Sequence, residues 1–161
     1  MDPRTTKTLS YFESQSVSRQ WAPFLDALGS VLTEQMPSRD LRAFMRALGK
    51  RMAAQLPLAE VDTLDDLQQC MNDNWSALSW GWVQLVEEES FISIEHCAAP
   101  LLGMFGQDSV EWTPALLEGL YAEWFREFGA GDPLILAQVG SAPVSAAQPL
   151  QFRLGHPSAF D

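Results

Sequence analysis

The side chains best suited to chemistry in this 161-residue chain are two histidines and two cysteines, and most of them stand apart. His96 and Cys97 are adjacent, whereas Cys70 and His156 are isolated. A zinc site needs ligands at short, regular intervals, so this spacing predicts no metal site and no cofactor. His96 ends a predicted strand, where a histidine is more often a hydrogen-bonded structural residue. We expect the cysteines to be free thiols, with one disulfide between them left open.

A run of three acids, Glu87 to Glu89, is the next candidate for catalysis. Glycoside hydrolysis uses two carboxyl groups, one of which needs a raised pKa. Three successive acids in a predicted hairpin turn would lie in water, where nothing raises a pKa, so we reject that interpretation. The sequence also has no nucleophile elbow, phosphate-binding loop or dinucleotide fingerprint. The residues by themselves therefore give little support for catalysis.

Charge is segregated along the chain. The net charge of −11 argues against nucleic acid as a partner, because binding phosphates requires a basic surface. Residues 52–125 hold 13 of the 21 acids and no Lys or Arg, while residues 39–51 hold five of the ten basic residues. Two interpretations stay open: a basic surface that binds acids of another subunit, or an ordinary solvated helix face. We call the four basic residues at helical spacing the basic ridge: Arg39, Arg42, Arg46 and Lys50.

The stretch 111–131 carries the most complete helix signal, and the other elements are expected to pack around it. Thr113 is the predicted N-cap, with its hydroxyl accepting from a free backbone N–H, and Pro114 suits the first helical position. Gly129 suits a left-handed C-cap. A wide apolar stripe at three- and four-residue spacing predicts a buried helix. The stripe consists of Leu116, Leu117, Leu120, Tyr121, Trp124, Phe125 and Phe128.

Three helices are predicted before this one, and four strands around it. The helices span about 20–35, 38–55 and 63–78, the second capped by Ser38 and the third by Thr63 in a capping box with Asp66. Strands are predicted from alternation at 81–88, 91–96, 134–139 and 150–154, with a loop at 98–110. The first helix is expected to pack through Trp21, Phe24, Leu25, Leu28 and Leu32. The second is expected to pack through Leu41, Phe44, Met45, Leu48 and Met52.

The order αααββαββ predicts an α+β fold, in which N-terminal helices pack on a small antiparallel sheet with one central buried helix. The predicted organisation is a flexible N-terminal arm over residues 1–18, a single domain over 19–156 and a frayed tail over 157–161. We see neither a secretory signal nor an apolar run of roughly 18 residues. A cytoplasmic location without a transmembrane segment is therefore expected, with the periplasm as the alternative.

Three stretches of sequence resemble the family of bacterial cellulose synthase operon protein D: WGWVQL, ISIEHCAAP and WTPALLEGLYAEWFREFGAG. The resemblance runs from about Trp75 to Leu136. The Glu-Gly pair inside the long helix is also similar to the looser group of four-vinyl-reductase and vesicle-tethering folds. Gly119 of that pair predicts the close approach of another backbone, since glycine otherwise costs up to about 1 kcal/mol in a helix interior.

The resemblance implies a non-catalytic protein that assembles from dimers into a closed cylinder of eight subunits. Its inner passages would hold nascent β-1,4-glucan chains, lined in part by the N-terminal segments, and so support cellulose export and crystalline packing. The implied partners are other copies of the chain, the cellulose synthase complex and a proline-rich accessory protein. An alternative is a small-ligand or haem-like binding module of the related fold, with His96 as the ligand. An acidic adaptor without a polysaccharide role is a third possibility.

Two sets of residues follow as candidates for these roles. A neutral glucan needs polar and aromatic contacts but no titrating group, which the arm can supply. The predicted glucan-binding residues are Lys7, Thr8, Tyr11 and Phe12. The predicted oligomer interface combines the basic ridge with Trp80 and Trp82, which flank Gly81, although core packing is the favoured interpretation of the two tryptophans.

Overall fold

Five helices and one four-stranded sheet make up the computed structural model, which describes residues 17–143, 145 and 147–160. The α+β class and the order of the predicted elements are confirmed, but the predicted loop at 98–110 contains one more short helix and a 3₁₀ turn. The helices are α1 Ala22–Gln35, α2 Ser38–Gln55, α3 Leu64–Leu78, α4 Leu101–Phe105 and α5 Pro114–Phe128. The strands are β1 Trp82–Glu87, β2 Phe91–Cys97, β3 Ile135–Val139 and β4 Leu150–Gly155, with 3₁₀ turns at Gln107–Ser109 and Pro157–Phe160.

The sheet is antiparallel throughout, with strand order β1-β2-β4-β3. The predicted hairpin pairs Val83 with His96 and Leu85 with Ile94, so that its alternating apolar residues share the core face. The last strand, β4, inserts between this hairpin and β3. The 3₁₀ turn after β4, in the segment predicted to fray, is held by a hydrogen bond from Arg153 Nη1 to the Ala159 carbonyl at 3.2 Å.

Helix α3 covers the outer edge of β1 with amide side chains. Asn72 Oδ1 accepts from the Val83 N–H at 2.7 Å, and Asn72 Nδ2 donates to the Val83 carbonyl at 3.0 Å. Gln68 Oε1 accepts from the Leu85 N–H at 2.7 Å. These bonds satisfy backbone groups that an edge strand would otherwise offer to another chain.

The central helix α5 is buried as predicted and crosses α2 at two glycines. Leu117, Leu120 and Trp124 are fully buried. A Cβ added to Gly119 would collide with the Arg46 backbone, and one added to Gly49 would collide with the Leu116 carbonyl. The predicted close approach at Gly119 is thus confirmed, and its partner is the backbone of α2.

Two of the predicted helix caps are wrong in detail. Thr113 precedes α5 but donates its hydroxyl to the Ser109 carbonyl at 2.9 Å, because its own backbone is already helical (φ −63°, ψ −34°) and not extended as in a capping residue. Ser38 is the first residue of α2 and donates to Glu111 Oε2 at 3.1 Å. The other two are confirmed: Thr63 Oγ1 accepts from the Asp66 N–H at 3.1 Å, and Gly129 ends α5 with φ +118°.

The predicted inner faces of α1 and α2 are partly wrong. In α1, Trp21 and Phe24 are more than half exposed, since this helix approaches α4 through Gly29, which lies against the Phe105 backbone. In α2, Leu41 and Met45 are buried, but Phe44 and Leu48 are exposed because the crossing at Gly49 rotates them outward. No helix in the described part of the chain is long and apolar enough to cross a membrane.

Candidate functional site

His96 is buried in an aromatic cluster and uses both ring nitrogens within the fold. Its Nε2 lies 2.7 Å from the Trp80 carbonyl, and its Nδ1 lies 2.6 Å from the Tyr121 hydroxyl. A carbonyl can only accept, so Nε2 carries the proton, and Nδ1 accepts from Tyr121. The His96 ring packs edge-on against Trp75. Trp80 stacks on Trp75, with 5.8 Å between the ring centroids and an angle of 9° between the ring planes.

The buried environment keeps this pair neutral. Desolvation lowers the pKa of His96 to about 4, against a smaller opposing effect of the hydrogen bond to Trp80. Burial raises the pKa of Tyr121 well above its usual range, and the adjacent Trp75 indole opposes that shift with a smaller effect. The buried Trp75 Nε1 itself has no hydrogen bond of normal geometry. Both ring nitrogens of His96 are engaged, so this arrangement leaves none to ligate a haem and gives no support to the haem-like alternative.

Glu118 is a further buried ionisable group, and it holds α2, α5 and β3 together. Its carboxylate accepts from Arg42 Nη2 at 3.0 Å, from Arg46 Nε, and from the Gln138 backbone N–H at 2.8 Å. Arg42 also donates to the Glu111 carbonyl at 2.7 Å and to the Gln138 side chain at 3.1 Å. Three charged or polar donors on one buried carboxylate make a structural link between elements.

The basic ridge therefore has two halves with different surroundings. Arg42 and Arg46 pair with Glu118 of their own chain, and Lys50 Nζ lies 4.0 Å from Glu123, which is paired more closely with Arg126. Arg39 is exposed. Sequence reasoning missed Glu118 as the acid that meets this ridge, although its three-residue offset from the buried Ala115 and Tyr121 placed it on the inner side of α5.

An aromatic groove of about 210 Å³ lies at the start of the described chain. Two indoles line it: Trp21, which is 54% exposed, and Trp80, whose inner face stacks on Trp75. Val17 and Ser18, at the end of the predicted arm, also line the groove. The remaining lining residues are Leu25, Pro100 and Met104.

Comparison with known proteins decides the family. A family model described as the D subunit of cellulose synthase matches residues 7–154. The chain belongs to this family. Two proteins of Komagataeibacter xylinus named cellulose synthase operon protein D are 33% identical over 88 residues and 32% identical over 89 residues. These alignments cover 52% and 53% of this chain and 56% and 57% of the relatives.

A third protein of the same name, from Komagataeibacter sucrofermentans, is 34% identical over 65 residues, which cover 39% of this chain and 42% of the relative. The chain thus spans about half the length of the curated relatives it matches. Membership of this family associates the chain with cellulose synthesis and with an accessory component of that machinery.

The other predicted site residues of this family member fall into two groups: two tryptophans in the folded domain and four residues near the N-terminus. Trp82 is 54% exposed at the start of β1, and Trp80 is half-buried in the groove wall. A role for either residue in an interface stays a prediction. The four predicted glucan-binding residues lie within the family match but outside the described residues: Lys7, Thr8, Tyr11 and Phe12.

Proposed function

We propose that this chain is a non-catalytic component of the bacterial cellulose synthesis machinery, which self-assembles and guides β-1,4-glucan chains toward export and crystalline packing. The observation that carries the proposal is the match to the cellulose synthase family model over residues 7–154. That match includes the four predicted glucan-binding residues of the arm and nearly the whole folded domain. The partners we propose are further copies of the chain, built up through dimers to an octamer, the synthase complex and a proline-rich accessory protein.

The use of the reactive side chains supports a non-catalytic role. Both ring nitrogens of His96 are hydrogen-bonded, to Trp80 and Tyr121, and the Glu118 carboxylate is paired with Arg42 and Arg46. Burial, with a smaller contribution from Glu95, raises the pKa of the Cys97 thiol and so disfavours the nucleophilic thiolate. Such groups stabilise the fold, and we assign no step of glucan chemistry to them.

The aromatic groove supports a path for glucan next to the arm. The pyranose rings of a β-1,4-glucan have apolar C–H faces and hydroxyl edges, which suit an indole surface beside polar backbone and side-chain groups. Trp21 and Trp80 offer that surface beside Val17 and Ser18, which follow closely in the sequence after Lys7, Thr8, Tyr11 and Phe12. Many weak contacts of this kind would let a polymer slide, whereas one tight site would hold it in place.

The cytoplasm is the compartment we propose for this assembly. Both cysteines in the fold, Cys70 and Cys97, are free and half-buried, which suits a reducing environment. Cell fractionation with an antibody to the chain tests this assignment, and recovery in the periplasmic fraction would replace it with the alternative compartment.

The test of the proposed function is complementation in a cellulose-producing host that lacks its own gene for operon protein D. The wild-type chain should restore the yield and crystalline order of cellulose, measured by weight and by X-ray diffraction of the product. A chain lacking residues 2–12 should fold and assemble but restore less of either.

A matched control replaces residues 2–12 with a Gly/Ser segment of equal length, which separates the loss of side chains from the loss of length. A second variant, Lys7→Ala/Thr8→Ala/Tyr11→Ala/Phe12→Ala, tests the named contacts alone. Full restoration by all of these variants would remove the arm from the glucan path. Failure of the wild-type chain to restore cellulose would reject the role in cellulose synthesis.

A further inference from the structure

Helix α1 exposes an apolar face that nothing else in the described chain covers. Seven of its 14 residues are apolar, yet only Gly29 is fully buried. Phe24 is 57% exposed and Val31 is 54% exposed. The apolar stripe of a helix in a soluble protein normally lies against another element. An exposed face of this kind marks a contact with another molecule.

The outer face has the spacing of a helix–helix seam. Phe24, Ala27 and Val31 recur at i, i+3 and i+7, the repeat by which two helices interlock side chains. We propose that α1 packs antiparallel against α1 of a second copy of the chain along this seam. The inference deepens, and rests on, the proposed self-assembly by giving it a surface and a two-fold symmetry.

The order of large and small side chains is self-complementary. Phe24 and Val31 are equally distant from the point between Ala27 and Leu28. In an antiparallel pair centred there, Phe24 lies opposite Val31 of the partner subunit, and this contact occurs twice because the interface is isologous. The small Ala27 at the centre allows the two helix backbones to approach closely.

Charge also favours a second copy in this orientation. Arg19 precedes α1, and Glu34 is near its end, so an antiparallel pair brings each Arg19 toward Glu34 of the partner subunit. A parallel pair would instead place Glu34 against Glu34 of the partner subunit. The two acids on the helix disfavour an anionic membrane surface, which attracts basic helices.

The exposed area indicates that α1 is the centre of an interface and not the whole of it. An aromatic side chain carries about 150–250 Å² of surface, so Phe24 offers on the order of 100 Å². A stable interface buries about 800 Å² on each partner, which requires neighbouring surface as well. We expect α1 to contribute the central contacts and other elements to contribute the rim.

Disulfide trapping tests both the surface and the orientation. In a Cys70→Ser/Cys97→Ser background, Ala27→Cys should form a cross-linked dimer under mild oxidation. Phe24→Cys alone should not, but Phe24→Cys mixed with Val31→Cys should give a cross-linked heterodimer. The control is Asp26→Cys, an exposed position that lies about 160° around the helix from Phe24. Cross-linking of Phe24→Cys with itself would overturn the antiparallel orientation.

Charge substitution with reciprocal rescue tests whether the contact drives assembly. Phe24→Asp and Val31→Lys should each raise the dissociation constant at least about tenfold, by light scattering across a dilution series. The double variant should recover most of that loss, because each new Asp lies opposite a new Lys; a merely structural defect would not be rescued. Unchanged circular dichroism confirms that the exposed substitutions leave the fold intact.

The outcomes separate this inference from the proposed function. A wild-type chain that is oligomeric, with no Ala27→Cys cross-link and no effect of Phe24→Asp, would overturn the α1 seam and leave self-assembly standing. A wild-type chain that stays monomeric at high micromolar concentration would remove self-assembly itself. Loss of cellulose with assembly unaffected by Phe24→Asp would assign the face to a different partner and also overturn the inference.

Discussion

Substitution of Gly119 by alanine is the most direct test of how this fold is held together. The added Cβ would lie 2.7 Å from both the carbonyl carbon and the Cα of Arg46, and closer still to its carbonyl oxygen. All three are backbone atoms, so no side-chain rotation can relieve the contact. Helices α2 and α5 must separate instead, loosening the core around Leu41 and Met45.

The expected loss of stability follows from two opposing contributions. Overpacking of this kind costs about 1–3 kcal/mol. Alanine restores up to about 1 kcal/mol of helix propensity at an interior position. Since the clash is with backbone, we expect the cost to exceed the gain, and Gly119→Ala should lower the free energy of unfolding by about 2 kcal/mol. With a urea m-value of about 2 kcal/mol/M, the midpoint falls by about 1 M.

Urea denaturation followed by tryptophan fluorescence measures this shift, with all variants at one protein concentration because the proposed self-assembly would contribute to stability. Gly131→Ala is the matched control, since Gly131 has open space around it and a φ outside the left-handed region. It should be neutral or stabilising. Gly49→Ala should resemble Gly119→Ala, and the double variant should lose less than the sum, because one separation of the helices accommodates both methyls. A Gly119→Ala midpoint at or above that of the wild type would refute the backbone-contact argument.

Two other predictions concern the buried ionisable groups. Glu118→Ala should lower the free energy of unfolding by about 3 kcal/mol, because it removes the buried carboxylate that accepts from Arg42, Arg46 and the Gln138 N–H, and Glu118→Gln should cost less because it keeps one oxygen; equal stability of both variants and the wild type would contradict this. His96, with a folded pKa of about 4, stays neutral while the unfolded chain takes up a proton below about 6.5. The stabilisation of the folded state by neutral His96 is therefore complete above pH 6.5. It is lost as the pH falls toward 4, and the free energy of unfolding falls by about 3 kcal/mol in total. His96→Gln should be less stable at pH 7, but its free energy of unfolding, measured by urea titration, should not fall between pH 6.5 and 5 as that of the wild type does. An equal dependence on pH in the two proteins would reject the buried, neutral state of His96.

The sequence predicted the sheet and the central helix well, because the spacing of apolar residues in each segment matches the face that it buries in the fold. Alternation placed Val83 and Ile94 on the core face of the hairpin, and the Gly129 cap ended α5 where expected. Gly119 was informative for a different reason. Glycine lowers the stability of a helix interior, so its presence there predicts a close contact that a larger side chain would prevent. That inference from a single residue predicted the α2–α5 contact without identifying the partner helix.

The parts that sequence reasoning missed depend on which neighbour each helix face meets. Phe44 and Leu48 fit an inner stripe by spacing, but the crossing at Gly49 fixes a rotation that turns them toward solvent. Likewise, Glu118 is one of the 13 acids in the segment without Lys or Arg, but it is buried beneath Arg42. A linear pattern gives the width of a face but not the direction in which it points. That direction is set by contacts far apart in the chain.

The placement of Glu118 changes how charge can act in an assembly. The segregation of basic and acidic residues suggests that copies attract one another through the basic ridge, but Arg42 and Arg46 already share the Glu118 carboxylate within the chain. Reversing those two arginines would break a buried link and so would confuse loss of folding with loss of assembly. The exposed Arg39 is the member of the ridge with which a charge contribution can be tested separately. An assembly centred on the apolar α1 seam would be less sensitive to salt than one centred on the ridge, because screening weakens exposed charges and not apolar contacts.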